Sequence, residues 1–290
     1  MKIFVQTRGR ATDYAFLADA PTNRWWLDFR DGTSFEQPTH IVSGDKKNWH
    51  CFLSGIPSSR VDRVGTTVRY SIAVEGSCQV NDESILNLIA AWLEDATSST
   101  PKGRVHAALD YAFDETTVER LLSIRSANVE TTNEVEKLSQ NALSILAVPK
   151  PSIGKIASES WVGSTTSPDA KNEFLARCCQ LIVGNVDGTA AVLNLLGTTD
   201  EVASFANNYK SLAALIDDES GNLRRIVSIE KKKTLDLPPA MPPTSEPTVP
   251  WTRIAVALGA IFLLILVVRL IAPNPPQGNQ SPNASHQFGK

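Results

Sequence analysis

The sequence predicts an α+β fold, with a β-rich N-terminal part, a helical and mixed α/β remainder, and one C-terminal transmembrane helix. The first 80 residues are β-rich, and Thr67–Glu75 shows the two-residue alternation of a strand most clearly. Helical periodicity and capping patterns follow, and alternating strand and helix signals come after Pro151. An uninterrupted apolar run, Ile254–Val268, stands near the end of the chain.

The N-terminal part is predicted to form a sheet that is covered on one face. Lys2–Arg8 is strand-like, and Asp13–Ala18 is expected to pair with it across a turn at Gly9 and Arg10. The clearest strand is Thr67–Glu75, because apolar residues alternate there with polar ones. A further strand, with one buried and one exposed tryptophan, is expected at Arg24–Phe29.

Helices are predicted next, beginning with Asp82–Ala96, whose apolar residues recur on one stripe. Thr116–Glu119 and Thr131–Glu134 match the capping box, in which a hydroxyl and a carboxylate satisfy free amide groups at a helix start. The resulting helices are expected near 104–113, 116–125 and 133–146.

The third portion alternates between strand and helix signals. Ser167 followed by Pro168 predicts a helix start, because proline suits the first helical position. Thr199 is expected to cap a second helix that reaches about Asp217. The other elements predicted are a helix end near Val183, closed by Gly184, and strands at Ser158–Gly163, Ala190–Leu196 and Arg224–Glu230.

Four regions follow from this pattern. Residues 1–236 are predicted to form a cytosolic α+β domain, and a division of this domain into two near residue 150 is the alternative. Residues 237–250 contain six prolines and form a semi-rigid linker. Residues 251–272 form the transmembrane helix, and 273–290 a disordered tail rich in Pro, Gln and Asn.

The apolar run is long enough to span a bilayer only when its flanks are included. A span needs about 20 residues, and Trp251–Ala272 meets that length. Arg269 lies near the helix end, where its side chain can reach the headgroups, so its cost stays below the roughly 3 kcal/mol of a central arginine. The apolar residues outweigh that cost, and the segment is predicted to insert into the membrane.

The orientation is predicted from the rest of the chain. Its N-terminus has no basic segment followed by an apolar signal-peptide core, so the large domain is expected to stay in the cytoplasm. Lys231–Lys233 and Arg253 precede the span and add a modest positive-inside bias. The protein is therefore predicted to be a single-pass protein of the bacterial inner membrane, with the lipid bilayer as a partner.

The composition argues against several function classes. The net charge is −3, so no nucleic-acid partner is expected. The four cysteines form no C-x-x-C pair, and the motifs for phosphate loops, dinucleotide binding, zinc proteases and serine hydrolases are missing from the sequence. We therefore expect no metal, no cofactor and no recognisable catalytic residue set.

The densest polar cluster predicts a ligand- or partner-binding site. Arg60, Asp62 and Arg63 follow one another closely, and Arg69 lies on the polar face of the next strand. Arg8 joins them if the first strand lies beside Thr67–Glu75. Forked guanidinium contacts can bind an anion while Asp62 orients one arginine. The alternative is a structural salt bridge that joins a loop to the sheet edge.

Two other pairs are interpreted as structural. His50 and Cys51 are neighbours, but adjacent strand residues point to opposite faces, so they are not expected to form a nucleophile and its base. Cys178 and Cys179 lie in an apolar helical stretch and are expected in the core.

The N-terminal pattern is similar to a group of bacterial conflict and defence proteins. The resemblance rests on Val5–Gly9, Asp13-Tyr14 and Ser59–Arg69, with Ser160–Gly163 further along. It covers about the first hundred residues and departs from the group at Val64 and Thr66, where larger or more basic residues are usual. The resemblance implies a component of a conflict or signalling system with a variable C-terminal module; it implies no catalytic residues.

The leading hypothesis is a non-enzymatic, membrane-anchored recognition or adaptor module of an antiviral defence system, with a protein partner encoded nearby. The alternatives are a tethered hydrolase or nucleotide-processing enzyme with its site near Arg60, Asp62, Arg63 and Arg69, and a membrane-disrupting effector. The small residues Ala255 and Gly259 would also allow homo-oligomers through the span.

Overall fold

The computed structural model describes residues 1–78, 83–96, 103–124, 128–146, 159–218 and 224–226. The predicted linker, transmembrane helix and tail lie outside these residues. Within the described ranges, no helix has both the length and the apolar character needed to cross a membrane.

The described chain is built on a nine-stranded mixed sheet, in the order β2-β1-β5-β4-β3-β7-β8-β6-β9. Its strands are β1 Lys2–Thr7, β2 Ala15–Phe16, β3 Thr39–Gly44, β4 Asn48–Val61, β5 Thr67–Ser77, β6 Trp161–Ser164, β7 Gly188–Val192, β8 Leu212–Ile216 and β9 Arg224–Arg225. Strands β7, β8 and β6 are parallel neighbours, and the other pairs are antiparallel. The α+β prediction is confirmed, and the pairing of β3 with β7 joins segments from both sides of residue 150.

The helices lie on both faces of this sheet. They are α1 Glu83–Ala96, α2 Arg104–Ala112, α3 Glu115–Ser123, α4 Val129–Ser144, α5 Pro168–Ile182 and α6 Thr199–Ala206, with a 3₁₀ helix at Trp25–Phe29. The larger core cluster joins α1 to α5 with one face of the sheet, and includes Trp92, Phe174 and Val74. The smaller cluster joins the 3₁₀ helix and α6 with the other face, and includes Trp26 and Val202.

Several local predictions are confirmed. Strand β1 pairs with β2 and with β5, and the apolar residues of β5 are buried while its polar residues are more exposed. Ser167 caps α5 through the amide of Ala170, with Pro168 in the first helical turn. Gly184 follows that helix with a φ of 74°, a conformation that favours glycine.

The two predicted capping boxes are wrong in position. Helix α3 is capped by Asp114, which accepts from the amide of Thr117, and α4 by Asn128, which accepts from the amide of Thr131. Asp and Asn are at least as good as threonine at this position. Helix α3 therefore begins one residue, and α4 four residues, earlier than predicted.

Two elements have a different type from the prediction. Arg24–Phe29 is a 3₁₀ helix rather than a strand, although Trp26 is buried and Trp25 only partly so, as expected. The predicted helix from Thr199 to Asp217 is the short helix α6 followed by strand β8. A five-residue apolar run such as Leu212–Ile216 suits a buried strand as well as a helix, and here it pairs with both β7 and β6.

Candidate functional site

The C-terminal half of β4 departs from regular pairing. Its register with β5 shifts between Leu53 and Ile56 and again between Pro57 and Val61. Gly55 lies in the first shift with a φ of 71°, and a Cβ there would come within 2.2 Å of the Gln37 carbonyl carbon. Only glycine fits this position, and bulges of this kind often bend a strand beside a binding site.

A cavity of about 500 Å³ opens where β4 bends. This bulge cavity lies between β4, Arg69 of β5, the end of α1 and the start of α2. Its wall is mainly apolar, with a few polar groups, as in small-ligand sites. The residues that matter here are Ile56, Ser58, Arg69, Trp92, Asp95 and His106.

Arg60 and Arg8 belong to one internal network beside the cavity. The Arg60 guanidinium donates to the Arg8 carbonyl oxygen at 2.8 Å and to Thr7 Oγ1 at 2.7 Å. Its Cζ lies 5.0 Å from the centre of the Tyr70 ring, a cation–π arrangement. Arg8 in turn forms an ion pair with Asp62, with an N–O distance of 3.1 Å. These contacts tie β1 to the end of β4.

Asp62 organises the turn that links β4 to β5. Its Oδ1 accepts the backbone amides of Val64 at 2.9 Å and Thr66 at 2.8 Å. The hydrogen bond from Thr66 is the largest influence on the carboxyl pKa, which lies below its ordinary value, and Arg8 lowers it further. Arg63 lies exposed on the same turn. Asp62 therefore shapes the hairpin, and Arg63 projects from its tip.

The Arg69 side chain lines the bulge cavity, while its backbone carbonyl accepts the Thr7 hydroxyl at 2.9 Å. It lies opposite Pro57 in the register of β5 with β4, and one guanidinium nitrogen donates to the Glu36 carbonyl oxygen. A guanidinium has five N–H donors, so most of its hydrogen-bonding capacity remains for another group. Of the five predicted site residues, the structure therefore joins Arg8, Arg60 and Asp62, and places Arg69 alone at a cavity.

Asp110 of α2 joins that helix to β4. It accepts the Ser58 hydroxyl at 2.6 Å, the Ser59 amide at 2.6 Å and the Tyr70 hydroxyl at 3.1 Å. Partial burial raises its pKa, but the hydrogen bonds from Ser58 and Ser59 and the nearby His106 outweigh burial, so the pKa lies below its ordinary value. Burial also raises the pKa of Tyr70 to about 12. Asp110 thus stays ionised while Tyr70 stays neutral.

His106 completes this contact between α2 and β4. Its Nδ1 lies 2.6 Å from the Pro57 carbonyl oxygen, which requires a proton on Nδ1. Its Nε2 lies 3.2 Å from the Ser59 hydroxyl and 3.4 Å from Asp110 Oδ2. His106 is not among the site residues predicted from the sequence. The spacing of His106 and Asp110 by four positions, which places both on one helix face, was the available signal.

Asp95 is the acidic group of the cavity, and it is bound within the fold. Its carboxylate accepts the amides of Arg104 at 3.0 Å and Val105 at 2.7 Å, the first residues of α2. Free amides at a helix start favour a negative charge. The start of α2 therefore partly offsets the charge of Asp95, and the Arg69 side chain lines the same cavity.

A second cavity of about 470 Å³ lies at the carboxyl ends of the parallel strands. This strand-end crevice is lined by Thr165 after β6, Asn194 after β7 and Asp217 after β8. Helices α5 and α6 cover opposite faces of the sheet, which leaves these strand ends open, and ligands of open α/β sheets bind at such a position. Pro38, Trp92 and Ala96 line both cavities, so the two share a wall.

The other two candidate pairs do not form functional sites in the described structure. His50 and Cys51 point to opposite faces of β4, and the thiol of Cys51 instead lies 3.6 Å from Nε2 of His40. Burial lowers the pKa of His40 to about 3 and raises that of the Cys51 thiol. Cys178 and Cys179 are buried in α5. In the part of the chain that the structure describes, no group of three potential metal ligands comes together.

Comparisons with protein-family models, with curated proteins and with solved structures find no match to this chain.

Proposed function

We propose that this protein is a recognition module that binds an anionic group of its ligand in the bulge cavity. Arg69 is the residue that carries this proposal, because it lines the cavity while Arg8 and Arg60 are engaged with the fold. A guanidinium binds a carboxylate or phosphate through two parallel hydrogen bonds. The apolar residues Ile56 and Trp92 would exclude water from that contact.

The contacts that shape the bulge cavity support a binding role for Arg69. Gly55 holds β4 in a bend against Gln37, and Asp110 anchors the bent strand to α2. These contacts shape the cavity, and Arg69 adds one hydrogen bond to the Glu36 carbonyl oxygen. A rigid, preformed cavity lowers the entropy lost on binding.

The predicted transmembrane helix suggests where in the cell this recognition takes place. If residues 251–272 cross the membrane, the domain before them would bind its ligand at the cytoplasmic surface. The resemblance of the N-terminal pattern supports a role in bacterial conflict or antiviral defence. The partner would then be a protein of the same system, and binding would localise or assemble that system at the membrane.

Substitution of Arg69 tests the proposal, with Arg63 as the matched control. Binding of N-acetylaspartate and of inorganic phosphate to full-length protein in lipid nanodiscs is followed by calorimetry. We expect Arg69→Ala to weaken binding about tenfold or more, because one hydrogen bond to a charged group contributes roughly 1.5–3 kcal/mol. Arg63→Ala removes the same charge from the exposed turn and should bind like the wild type.

Equal losses in the two variants would show only a general charge effect and would contradict the proposed site. Binding that is unchanged in Arg69→Ala would also contradict it. The melting temperature of each variant, measured without ligand, separates lost binding from lost folding.

A second candidate function, an esterase, is favoured by one observation. The Ser59 hydroxyl is exposed and lies 3.2 Å from Nε2 of His106, whose other nitrogen is bound to the Pro57 carbonyl. A nucleophile beside a base that a third group orients is the usual arrangement for acyl transfer. The Ser59 oxygen would attack an ester carbonyl, and its proton would pass through Nε2 to the leaving alcohol before water releases the acyl group.

Labelling with a fluorophosphonate probe decides between the two functions. An esterase predicts a covalent adduct on Ser59, detected by mass spectrometry, that Ser59→Ala abolishes and Ser71→Ala on β5 does not. An unlabelled wild-type protein, or labelling that persists in Ser59→Ala, would leave recognition as the function of the site.

A further inference from the structure

The bulge cavity and the strand-end crevice lie along the same edge of the sheet. Arg69 pairs with Pro57, and the Asn194 side chain donates to the Pro38 carbonyl at 3.1 Å. The register that pairs Val192 with Leu215 places Asn194 beside Asp217. The two cavities are therefore adjacent and share Pro38, Trp92 and Ala96. We call them together the edge groove, which runs across the strand ends rather than along a strand.

The strand order fixes the length of the edge groove between its charged residues. Arg69 lies on β5 and Asp217 just after β8, with β4, β3 and β7 between them. Four inter-strand spacings of about 4.8 Å separate the two positions by about 19 Å. An extended peptide covers that distance with about six residues, at about 3.3 Å per residue.

The ends of the groove have opposite charge and its centre is apolar. Arg69 supplies the positive end, and the exposed Asp217 supplies the negative end. Pro38, Trp92 and Ala96 form the wall between them. Asp95 lies at the same end of the groove as Arg69, and the start of α2 partly offsets its negative charge.

We propose that the edge groove binds an extended peptide of about six residues that has an acidic residue at one end, a basic residue at the other and apolar residues between them. This inference rests on the proposed function and names its ligand class. The acidic residue pairs with Arg69 and the basic residue with Asp217. The apolar residues lie on the wall formed by Pro38, Trp92 and Ala96. Opposite charges at the two ends fix the direction in which the peptide lies.

A peptide-display selection tests the charge polarity. Full-length protein in lipid nanodiscs selects from a library of linear random peptides, once as wild type and once as the double variant Arg69→Glu with Asp217→Lys. The wild type should enrich peptides with one basic and one acidic residue about five positions apart, in a single order. The double variant should enrich the opposite order, because both charges of the groove are exchanged.

Single substitutions then test each end with one synthetic peptide from the selection. Asp217→Asn and Asp217→Lys should weaken its binding about tenfold or more, whereas Asp31→Lys, on an exposed loop outside the groove, should leave it unchanged. Asp217→Asn keeps the shape of the side chain, so it stays informative if the lysine variant folds poorly.

The outcomes separate this inference from the proposed function. Peptides enriched without charge order would overturn the inference, while an Arg69-dependent affinity for N-acetylaspartate would leave the proposed function standing. If no peptide is enriched and a dinucleotide such as NAD binds in a manner that depends on both Arg69 and Asp217, the ligand is a small molecule. That result would also overturn the inference. If the wild-type protein binds neither the anions nor any peptide, the proposed function and this inference are both overturned.

Discussion

The guanidinium of Arg60 lies over the ring of Tyr70, with 5.0 Å between Cζ and the ring centre. The phenol hydroxyl of the same tyrosine shares its proton between Asp110 and the Phe113 carbonyl. Since Arg60 also donates to Thr7 of β1, the Arg60–Tyr70 contact connects β1, β4, β5 and α2. Arg60 therefore stabilises the strands beside the bulge cavity, whereas the Arg69 side chain lines the cavity itself. Two arginines that look equivalent in the sequence have different roles.

The first prediction concerns the stability that Arg60 contributes. Arg60→Ala removes the hydrogen bonds to Thr7 and Arg8 and the contact with Tyr70. We expect it to lower the free energy of unfolding by about 2 kcal/mol, the scale of hydrogen bonds from a charged donor. Urea denaturation measures the loss, and Arg63→Ala serves as the control with little expected change. Similar stabilities of the two variants would show that the network contributes little.

The second prediction compares two glycines that share a positive φ. Gly55 and Gly65 have φ values of 71° and 84°, but only Gly55 has neighbours that a Cβ would strike, at Gln37 and Pro38. Gly65→Ala should cost about 1 kcal/mol from the backbone conformation alone. Gly55→Ala should cost at least about 2 kcal/mol more, because the loop before β3 must move.

Thermal and urea unfolding of both glycine variants measure this difference. The Gly55 variant should also bind anions more weakly, since the bend of β4 shapes the bulge cavity. Equal losses of unfolding free energy in the two variants would mean that the loop at Gln37 moves aside at little energetic cost, which would contradict the prediction.

The third prediction concerns the pH dependence of stability. Burial lowers the pKa of His40 to about 3 in the folded protein, against 6.5 in the unfolded chain. Between these values the unfolded chain binds the extra proton, so stability falls as the pH is lowered from about 7 towards 3. The slope from this one group is at most about 1.4 kcal/mol per pH unit.

His40→Leu should flatten that slope, as measured by urea denaturation at a series of pH values. His50→Gln is the comparison, because His50 is only partly buried and lies on the opposite face. If His40→Leu keeps the wild-type slope, other groups account for the acid sensitivity.

The fourth prediction concerns the apolar segment 251–272. Removal of residues 237–290 should release the protein from the membrane fraction of the cell, because the span is its predicted anchor. Fractionation followed by carbonate extraction measures this release. Replacement of Leu263 and Leu264 by lysine within the full chain should have the same effect, since a charge near the helix centre costs about 3 kcal/mol. A truncated protein that stays in the membrane fraction would contradict the prediction.

Several elements of the fold are predictable because their signals are local. The alternation in Thr67–Glu75 and the Ser167-Pro168 helix start depend on neighbouring residues, and the structure contains both elements. Strands β3 and β4 escape sequence prediction, since their central residues are apolar on both faces of a covered sheet and show little alternation. The run Leu212–Ile216 is wrongly predicted as helix because its parallel partners, β6 and β7, are distant in sequence.

Local sequence patterns are sufficient to predict the α+β class, the capped start of α5 and the apolar segment, and they mark the arginine cluster as a region of interest. Only the tertiary structure distinguished Arg69 from Arg60. The partners of each arginine lie far along the chain: Arg60 bonds Thr7 and Arg8, whereas Arg69 bonds the Glu36 carbonyl and lines a cavity bounded by α1 and α2. The edge groove likewise exists only because strand pairing brings Arg69 and Asp217 to the same edge of one sheet. Local patterns record which residues form a helix or strand; long-range pairing decides which charges remain available to a ligand.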